Sequence, residues 1–248
     1  LEDGKMNLGG KRAVITGGGT GIGWAIAKAF HDAEAKVGIT GRRLEKLEEA
    51  AAQVEGDNPI VCHAVDVSDR TAVNEMIASM TEQLGGIDIL VNSAGTNIQK
   101  RKMTDMDPAD WDKVMSINAT GAYNCLHAVL PQMRERQDGL IINISSIAGK
   151  RASALGGVVY CASKFAMTAL GTAVGNELAE EGIRVTNIYP GEVDTPILEN
   201  RPSPVTAEHR ARILQPEDFA NLAVAIAALP PRANVPEIIV KPTLQGYV

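Results

Sequence analysis

The stretch Thr16-Gly-Gly-Gly-Thr-Gly-Ile-Gly23 constrains the fold more than any other part of the chain. Before it, Lys11-Arg-Ala-Val-Ile15 reads as a buried strand, and Trp24-Ala-Ile-Ala-Lys-Ala-Phe30 after it reads as a helix. A strand that turns through glycines into a helix leaves main-chain N–H groups without partners at the turn. The positive end of the helix dipole points there too. Anions suit that place, and glycine lets the backbone approach them where a Cβ would obstruct. The spelling is T-G-x-x-x-G-x-G rather than G-x-G-x-x-G, and taken alone the cluster is equally compatible with an ordinary βα turn.

The rest of the chain repeats the strand-then-helix rhythm without repeats, linkers or low-complexity segments. Strands are predicted at 36–40, 60–65, 87–91, 140–144, 183–188 and 237–240 in addition to the first. Helices are predicted at 44–54, from about 69 to 84, 108–136, 158–182 and 216–229, with Ser68 as candidate cap of the second of these and Asp69 in its first turn. This alternation predicts an α/β fold, one doubly wound, Rossmann-type domain with a seven-stranded, mostly parallel sheet and helices on both faces. The domain is expected to span 7–248, with a small substrate-loop region near 196–214. Residues 1–6 read as an N-terminal extension or tag remnant.

Composition narrows the function classes. No apolar run approaches the roughly 18 residues that cross a membrane, and no cationic start precedes an apolar core, so a cytoplasmic protein without membrane partners is expected. Cys62, Cys125 and Cys161 form no C-x-x-C pair and point to a reducing compartment. A net charge of −6 gives no support for nucleic-acid binding. His31, His63, His127 and His209 have no metal-ligand spacing, so no metal is expected.

In a doubly wound sheet, ligands sit at the carboxyl ends of the strands, by the crossover. The chemically suggestive residues all fall there. The glycine turn contributes Gly17, Gly19, Thr20, Gly21, Ile22 and Gly23. Arg42 and Arg43 follow the second strand, Asp66 and Val67 the third, and Asn92-Ser-Ala-Gly95 the fourth. Ser145 and Ser146 follow the fifth, and Pro190-Gly191 the sixth. With Asn118, Tyr160-x-x-x-Lys164, Val193 and Thr195 in this order, the chain resembles the short-chain dehydrogenase/reductase family over essentially its whole length.

The resemblance implies the strand order 3-2-1-4-5-6-7 and a catalytic set of Asn118, Ser146, Tyr160 and Lys164. It implies that Asp66 and Val67 meet the adenine of a nicotinamide dinucleotide, and that Asn92, Ala94 and Gly95 run along its inner part. Lys164 would hold the nicotinamide ribose beside Tyr160, and Pro190, Gly191, Val193 and Thr195 the carboxamide. Asn118 would bend its helix and hold a water that extends the proton path. Two departures stand out: Ser93 replaces the family's usual second asparagine, and the Ser146-to-Tyr160 spacing is one residue longer than usual. Ser145 would lengthen it further, and Ile142-Asn-Ile-Ser-Ser-Ile-Ala-Gly149 fits the family pattern on its second serine, so Ser146 is chosen over Ser145.

The residue types fit that chemistry. Tyr160 and Lys164 lie four apart, on one helix face. A free tyrosine titrates near pH ~10, and a neighbouring ammonium favours the phenolate, lowering the pKa toward the range of a general acid–base. An acidic residue at the tip of the second strand would bond both ribose hydroxyls of NAD(H). Gly41-Arg42-Arg43 offers guanidinium groups instead, which suit a 2′-phosphate, so NADP(H) is expected over NAD(H). The substrate is expected to be a small carbonyl or alcohol compound, walled by residues 96–106, 150–157 and 197–212. Met103, Leu155 and Ile197 suggest apolar contact, and Arg101 or Arg201 could meet an anionic group. Broad apolar faces on the helices at 108–136 and 158–182 suggest a homo-oligomer, a tetramer or else a dimer. A dinucleotide-binding sensor or scaffold of the same fold stays open as an alternative activity.

Overall fold

The strands are apolar runs buried on both faces, the pattern of a sheet covered by helices on each side. In the computed structural model, which describes residues 6–56 and 58–246, they form one sheet in the order β3-β2-β1-β4-β5-β6-β7. Its members are β1 (Arg12–Thr16), β2 (Lys36–Gly41), β3 (Val61–Ala64), β4 (Ile89–Asn92), β5 (Gly139–Ile144), β6 (Ile183–Pro190) and β7 (Glu237–Val240). Every ladder is parallel, so the sheet is wholly rather than mostly parallel among the described residues. The expected extension lies outside the described residues except for Met6.

Side chains alternate between the two faces with the period of two that a strand dictates. Ala13, Ile15, Ile89, Val91, Leu140 and Ile142 enter one core, against α1 (Gly21–Asp32), α2 (Leu44–Ala51) and a late helix, Glu217–Ala227. Val14, Leu90, Ile141 and Val185 enter the other, beneath α3 (Arg70–Leu84) and the helices after β4 and β5. β1 pairs with both β2 and β4, which places the crossover, and hence the cleft, between them.

Three local expectations are corrected. Asp69, not Ser68, caps α3: its carboxylate accepts from the N–H groups of Thr71 (2.9 Å) and Ala72 (3.1 Å), while the Ser68 hydroxyl donates to Asp66 (2.7 Å). The long helix at 108–136 is broken into α4 (Pro108–Met115), a π turn (Ser116–Thr120) and α5 (Gly121–Arg136). The widened turn, closed by Gly121 N–H on Ser116 O, carries Asn118, where the resemblance implied a bend. The helix after β5 is α6 (Val158–Glu177), followed by a separate 3-10 turn, Ala179–Glu181. With a mean hydropathy of 1.3 over a window of its 20 residues, α6 is apolar and long enough to cross a membrane by composition alone, contrary to the sequence reading. One face of it, with Val159, Cys161, Met167 and Gly171, is buried and also carries Lys164, whereas Val158 and Phe165 are exposed.

Candidate active site

A cleft of about 510 Å³ runs along the carboxyl ends of the strands. Its first wall is the glycine turn, built almost entirely from main chain. Thr16 Oγ1 accepts from the N–H groups of Ser93 and Ala94, both at 3.1 Å, which seats the turn on the loop after β4. Gly17 has φ +64°, and a Cβ there would lie 2.9 Å from Ala94 Cα, so glycine is required on two grounds. Thr20 precedes α1 in an extended conformation and makes no side-chain cap bond, and the first turn has no acidic residue. The N–H groups at the start of α1 are therefore left for an anion. Gly17, Gly19, Thr20, Gly21 and Ile22 line the cleft. Gly23 does not: it is buried against the carbonyl oxygen of Gly17, where a Cβ would collide.

At the end of β2, Arg42 and Arg43 are exposed and face the cleft, with Lys46 in the first turn of α2. Lys46 was absent from the sequence reading, although its place after Gly41-Arg42-Arg43 on an amphipathic helix was the available signal. It pairs with Glu49 at 2.5 Å. A Cβ at Gly41 would meet only Leu47, at 3.5 Å, so a side chain fits there. Across the opening, Asp66 and Val67 line the cleft. Burial pushes the Asp66 carboxyl up, but two hydrogen bonds from Ser68 and the charge of Arg42 outweigh it and hold its pKa below the ordinary value.

The other wall carries the acid–base candidates. α6 begins at Val158, which brings Tyr160 and Lys164 into the cleft, and the loop after β5 brings Ser146 to them. The Ser146 hydroxyl accepts from the N–H of Ala148 at 3.1 Å and lies near enough to the Tyr160 phenol to pull its pKa down. Ser145 is turned away: its hydroxyl contacts Lys164 O (3.2 Å) and Thr168 Oγ1 (3.1 Å). Ser146 and Tyr160 both line the cleft despite the longer spacing between them. Lys164 is buried, its Nζ donating to Ile144 O at 2.8 Å and lying 5.8 Å from the centre of the Tyr160 ring. Burial pushes its pKa down to about 8. The Tyr160 phenol is pushed up by burial, against the downward pull of Ser146 and the positive charge of Arg101. The ammonium expected to lower Tyr160 is thus itself weakened by burial, and a different cation, Arg101, acts on the phenol.

Asn118 is fully buried and does not line the cleft. Its Oδ1 accepts from Thr96 N–H (2.8 Å), and its Nδ2 donates to Thr96 O (2.9 Å) and Ser163 Oγ (3.0 Å). Both amide hydrogens are committed, so the side chain clamps the loop after β4 onto α6. Asn92 also departs from expectation. It is 2 % exposed and donates to Asn143 Oδ1 at 3.0 Å, which in turn donates to Asn187 at 3.0 Å. These three residues are in register on β4, β5 and β6 and tie the strands together, while Ala94 and Gly95 line the cleft.

Pro190, Gly191, Val193 and Thr195 line the far end, with Leu155 and Ile197. Met103 does not, being 72 % exposed. The segment beyond is pinned by charge. Glu192 pairs with Arg201 (2.7 Å) and His209 (2.6 Å), Arg210 pairs with Asp194, and Val193 bridges to Leu214. No group of three or more metal-type ligands is assembled among the described residues.

Residues 11–205 match the family model described as short chain dehydrogenase. An uncharacterized oxidoreductase of Staphylococcus aureus (strain USA300) is 37 % identical over 235 residues, 94 % of this chain and 97 % of the relative. The closed form of serine dehydrogenase complexed with NADP+ superposes with a TM-score of 0.87 at 33 % identity, covering 95 % of this chain and 96 % of that one. The 3-ketoacyl-(acyl-carrier-protein) reductase of Brucella melitensis, complexed with NADH, superposes with a TM-score of 0.85 at 29 % identity, covering 95 % and 98 %.

Proposed function

The chain belongs to the short-chain dehydrogenase family and is an oxidoreductase of that family, and from that premise we propose that it interconverts a carbonyl and an alcohol with NADP(H). The observation that carries this reading is the Tyr160 phenol in the cleft, with Ser146 beside it and the buried Lys164 Nζ 5.8 Å from its ring centre. The site suits a dinucleotide: the start of α1 is uncapped, Gly17 and Gly21 allow close approach, and two exposed arginines flank the end of β2. When bound, the nicotinamide supplies the hydride or accepts it.

The protein's own part is positional and protonic. Tyr160 Oη protonates the developing alkoxide oxygen in reduction and takes that proton in the reverse direction. Ser146 Oγ holds the same oxygen. The resulting phenolate is stabilised by Ser146 and by the charge of Arg101, the two groups that pull its pKa down. Lys164, near pKa 8, exchanges a proton close to neutral pH beside that ring. Asn118 acts as a positioning residue, keeping α6 and the loop after β4 in register. Arg42 and Arg43 favour NADP(H) over NAD(H) through the 2′-phosphate. Asp66, Val67, Ala94 and Gly95 would hold the adenosine half, and Pro190, Gly191, Val193 and Thr195 the nicotinamide half.

Exposed Tyr123 on α5 and Val158 and Phe165 on α6, each 40–43 % exposed, support a homo-oligomer, a tetramer or else a dimer. Activity in the cytoplasm without nucleic-acid, membrane or metal partners completes the reading. The deciding experiment is NADPH absorbance with a panel of aldehydes and ketones. Turnover supports the enzyme; tight NADPH binding without turnover on any of them favours the sensor alternative.

A further inference from the structure

Arg101 is a cation held inside the protein without a counter-ion. It is 8 % exposed and lines the cleft. Its Nε donates to Ile98 O (2.7 Å), one terminal nitrogen to Leu155 O (2.5 Å) and the other to Asn200 O (2.8 Å). Its stem packs on Gly157, where φ is +82° and a Cβ would lie 2.5 Å from Arg101 Cβ. Among the described residues these three main-chain carbonyls are its polar partners, and no carboxylate pairs with it. Glu192, an acid in the cleft wall, is committed to Arg201 and His209.

Such a group is costly. A buried guanidinium needs a paired anion to offset its lost hydration. Here burial and the like charge of Arg201 both pull its pKa down, and only Tyr160 pulls the other way. Of five N–H donors on the fork, three are taken, which leaves two for a ligand. The three carbonyls come from the loop after β4, the 150–157 loop and the 196–200 turn, so the fork is fixed in orientation by every segment that walls the substrate region. A fixed, partly unused, uncompensated guanidinium is a preorganised receptor for a planar anion.

We propose that Arg101 is the anion anchor of the substrate region, and that the substrate is an oxo acid or hydroxy acid. The carboxylate pairs with Arg101 while its carbonyl or hydroxyl oxygen lies between Ser146 and Tyr160. This deepens the proposed function and rests on the reading of Tyr160 as proton donor. Arg201 is excluded from the same role because its charge is already met by Glu192.

The test compares 2-oxo-, 3-oxo- and 4-oxopentanoate with their methyl esters as substrates for NADPH oxidation by the intact protein. The expected result is that at least one free acid exceeds its ester in kcat/KM by on the order of 10- to 100-fold, carried mainly in KM. In R101M that acid-to-ester ratio falls to about one, and R101K restores part of it through the charge. Acids no better than their esters in the unmutated protein would overturn the proposal, whether or not R101M folds. So would an unchanged ratio in R101M with the pH profile displaced equally for acid and ester, which would assign Arg101 to tuning Tyr160. Calorimetric titration with pentanoate, which cannot react, separates the anchor from the chemistry. Binding that is lost in R101M supports the anchor even if no compound turns over, and absence of binding to the unmutated protein in that case overturns it.

Discussion

The two ends of the cleft are built from different materials. The end nearest β1 and β2 is main chain: a turn at Gly17 that only glycine can make, an uncapped helix start, and arginines exposed to solvent. The end nearest β5 and β6 is side chain: a half-buried phenol beside an ammonium and a guanidinium withdrawn from water, with the surrounding loops fastened by ion pairs. The first end recognises a generic group, a phosphate, with generic donors. The second holds charges where each shifts its neighbours, and small changes there alter chemistry before they alter the fold.

The sharpest test of this contrast is Y160F, which removes one oxygen and keeps the ring. We expect kcat to fall by about 10²–10⁴-fold with NADPH affinity nearly unchanged, read by steady-state kinetics and by quenching of protein fluorescence. A variant keeping most of its rate on a carbonyl substrate would remove Tyr160 from the chemistry. At the other end G17V should do the opposite, injuring the structure itself. A side chain at φ +64° and 2.9 Å from Ala94 Cα brings strain of about 1–3 kcal/mol and overlap of about the same size. Thermal melting should show a clear drop in Tm together with weakened NADPH binding; an unchanged Tm would mean that the turn is more forgiving than its geometry indicates.

K164M probes the withdrawn charge. Burial holds the folded pKa of Lys164 at about 8, below the ordinary lysine value of 10.5, so between those values the unfolded chain holds the proton and the folded one does not. Stability of the unmutated protein therefore rises with pH across that window. K164M has no such proton to lose. Its stability relative to the unmutated protein should shrink by about 3 kcal/mol from pH 7 to 10.5, read by urea unfolding at both values. A difference that stays flat with pH would show that Lys164 is not held in a water-poor site.

The smallest effect belongs to the exposed end. R42A should weaken NADPH about 10- to 40-fold, the lower part of the range for hydrogen bonds to charged groups, because solvent screens the pair. NADH should be little affected. G41D meets only Leu47 and adds a charge that repels a 2′-phosphate, so with R42A it should reverse the preference. The NADPH-to-NADH ratio of kcat/KM checks both. Preference of the unmutated protein for NADH, or equal losses with both in R42A, would overturn the choice of NADP(H).

The same division governs what could be read without coordinates. The glycine turn, the seven strands and Tyr160 with Lys164 are local patterns, in which each residue's role follows from neighbours within a turn or along a strand. The strand order was implied by the resemblance and is observed as implied. Gly23 and Asn92, expected at the ligand, are instead packing and strand-tying residues, because a glycine beside the helix start and an asparagine at a strand end fit both roles equally in sequence. Asp69 rather than Ser68 caps α3 for a similar reason, since both are good caps and the neighbour Asp66 claims the serine.

By itself, then, the sequence determined the alternation of elements, the anion-binding turn, the pair of groups four apart on α6 and the basic tip of β2. Each is set by period and turn chemistry over a few residues. Only the tertiary structure decided that Asn118 has no hydrogen left to give, and that Arg101 is buried rather than solvated. Those outcomes depend on partners far along the chain, such as Asn200, which lies 99 residues from Arg101. Whether a charge is stripped of water is a property of everything packed around it, and no window of neighbouring residues contains that information.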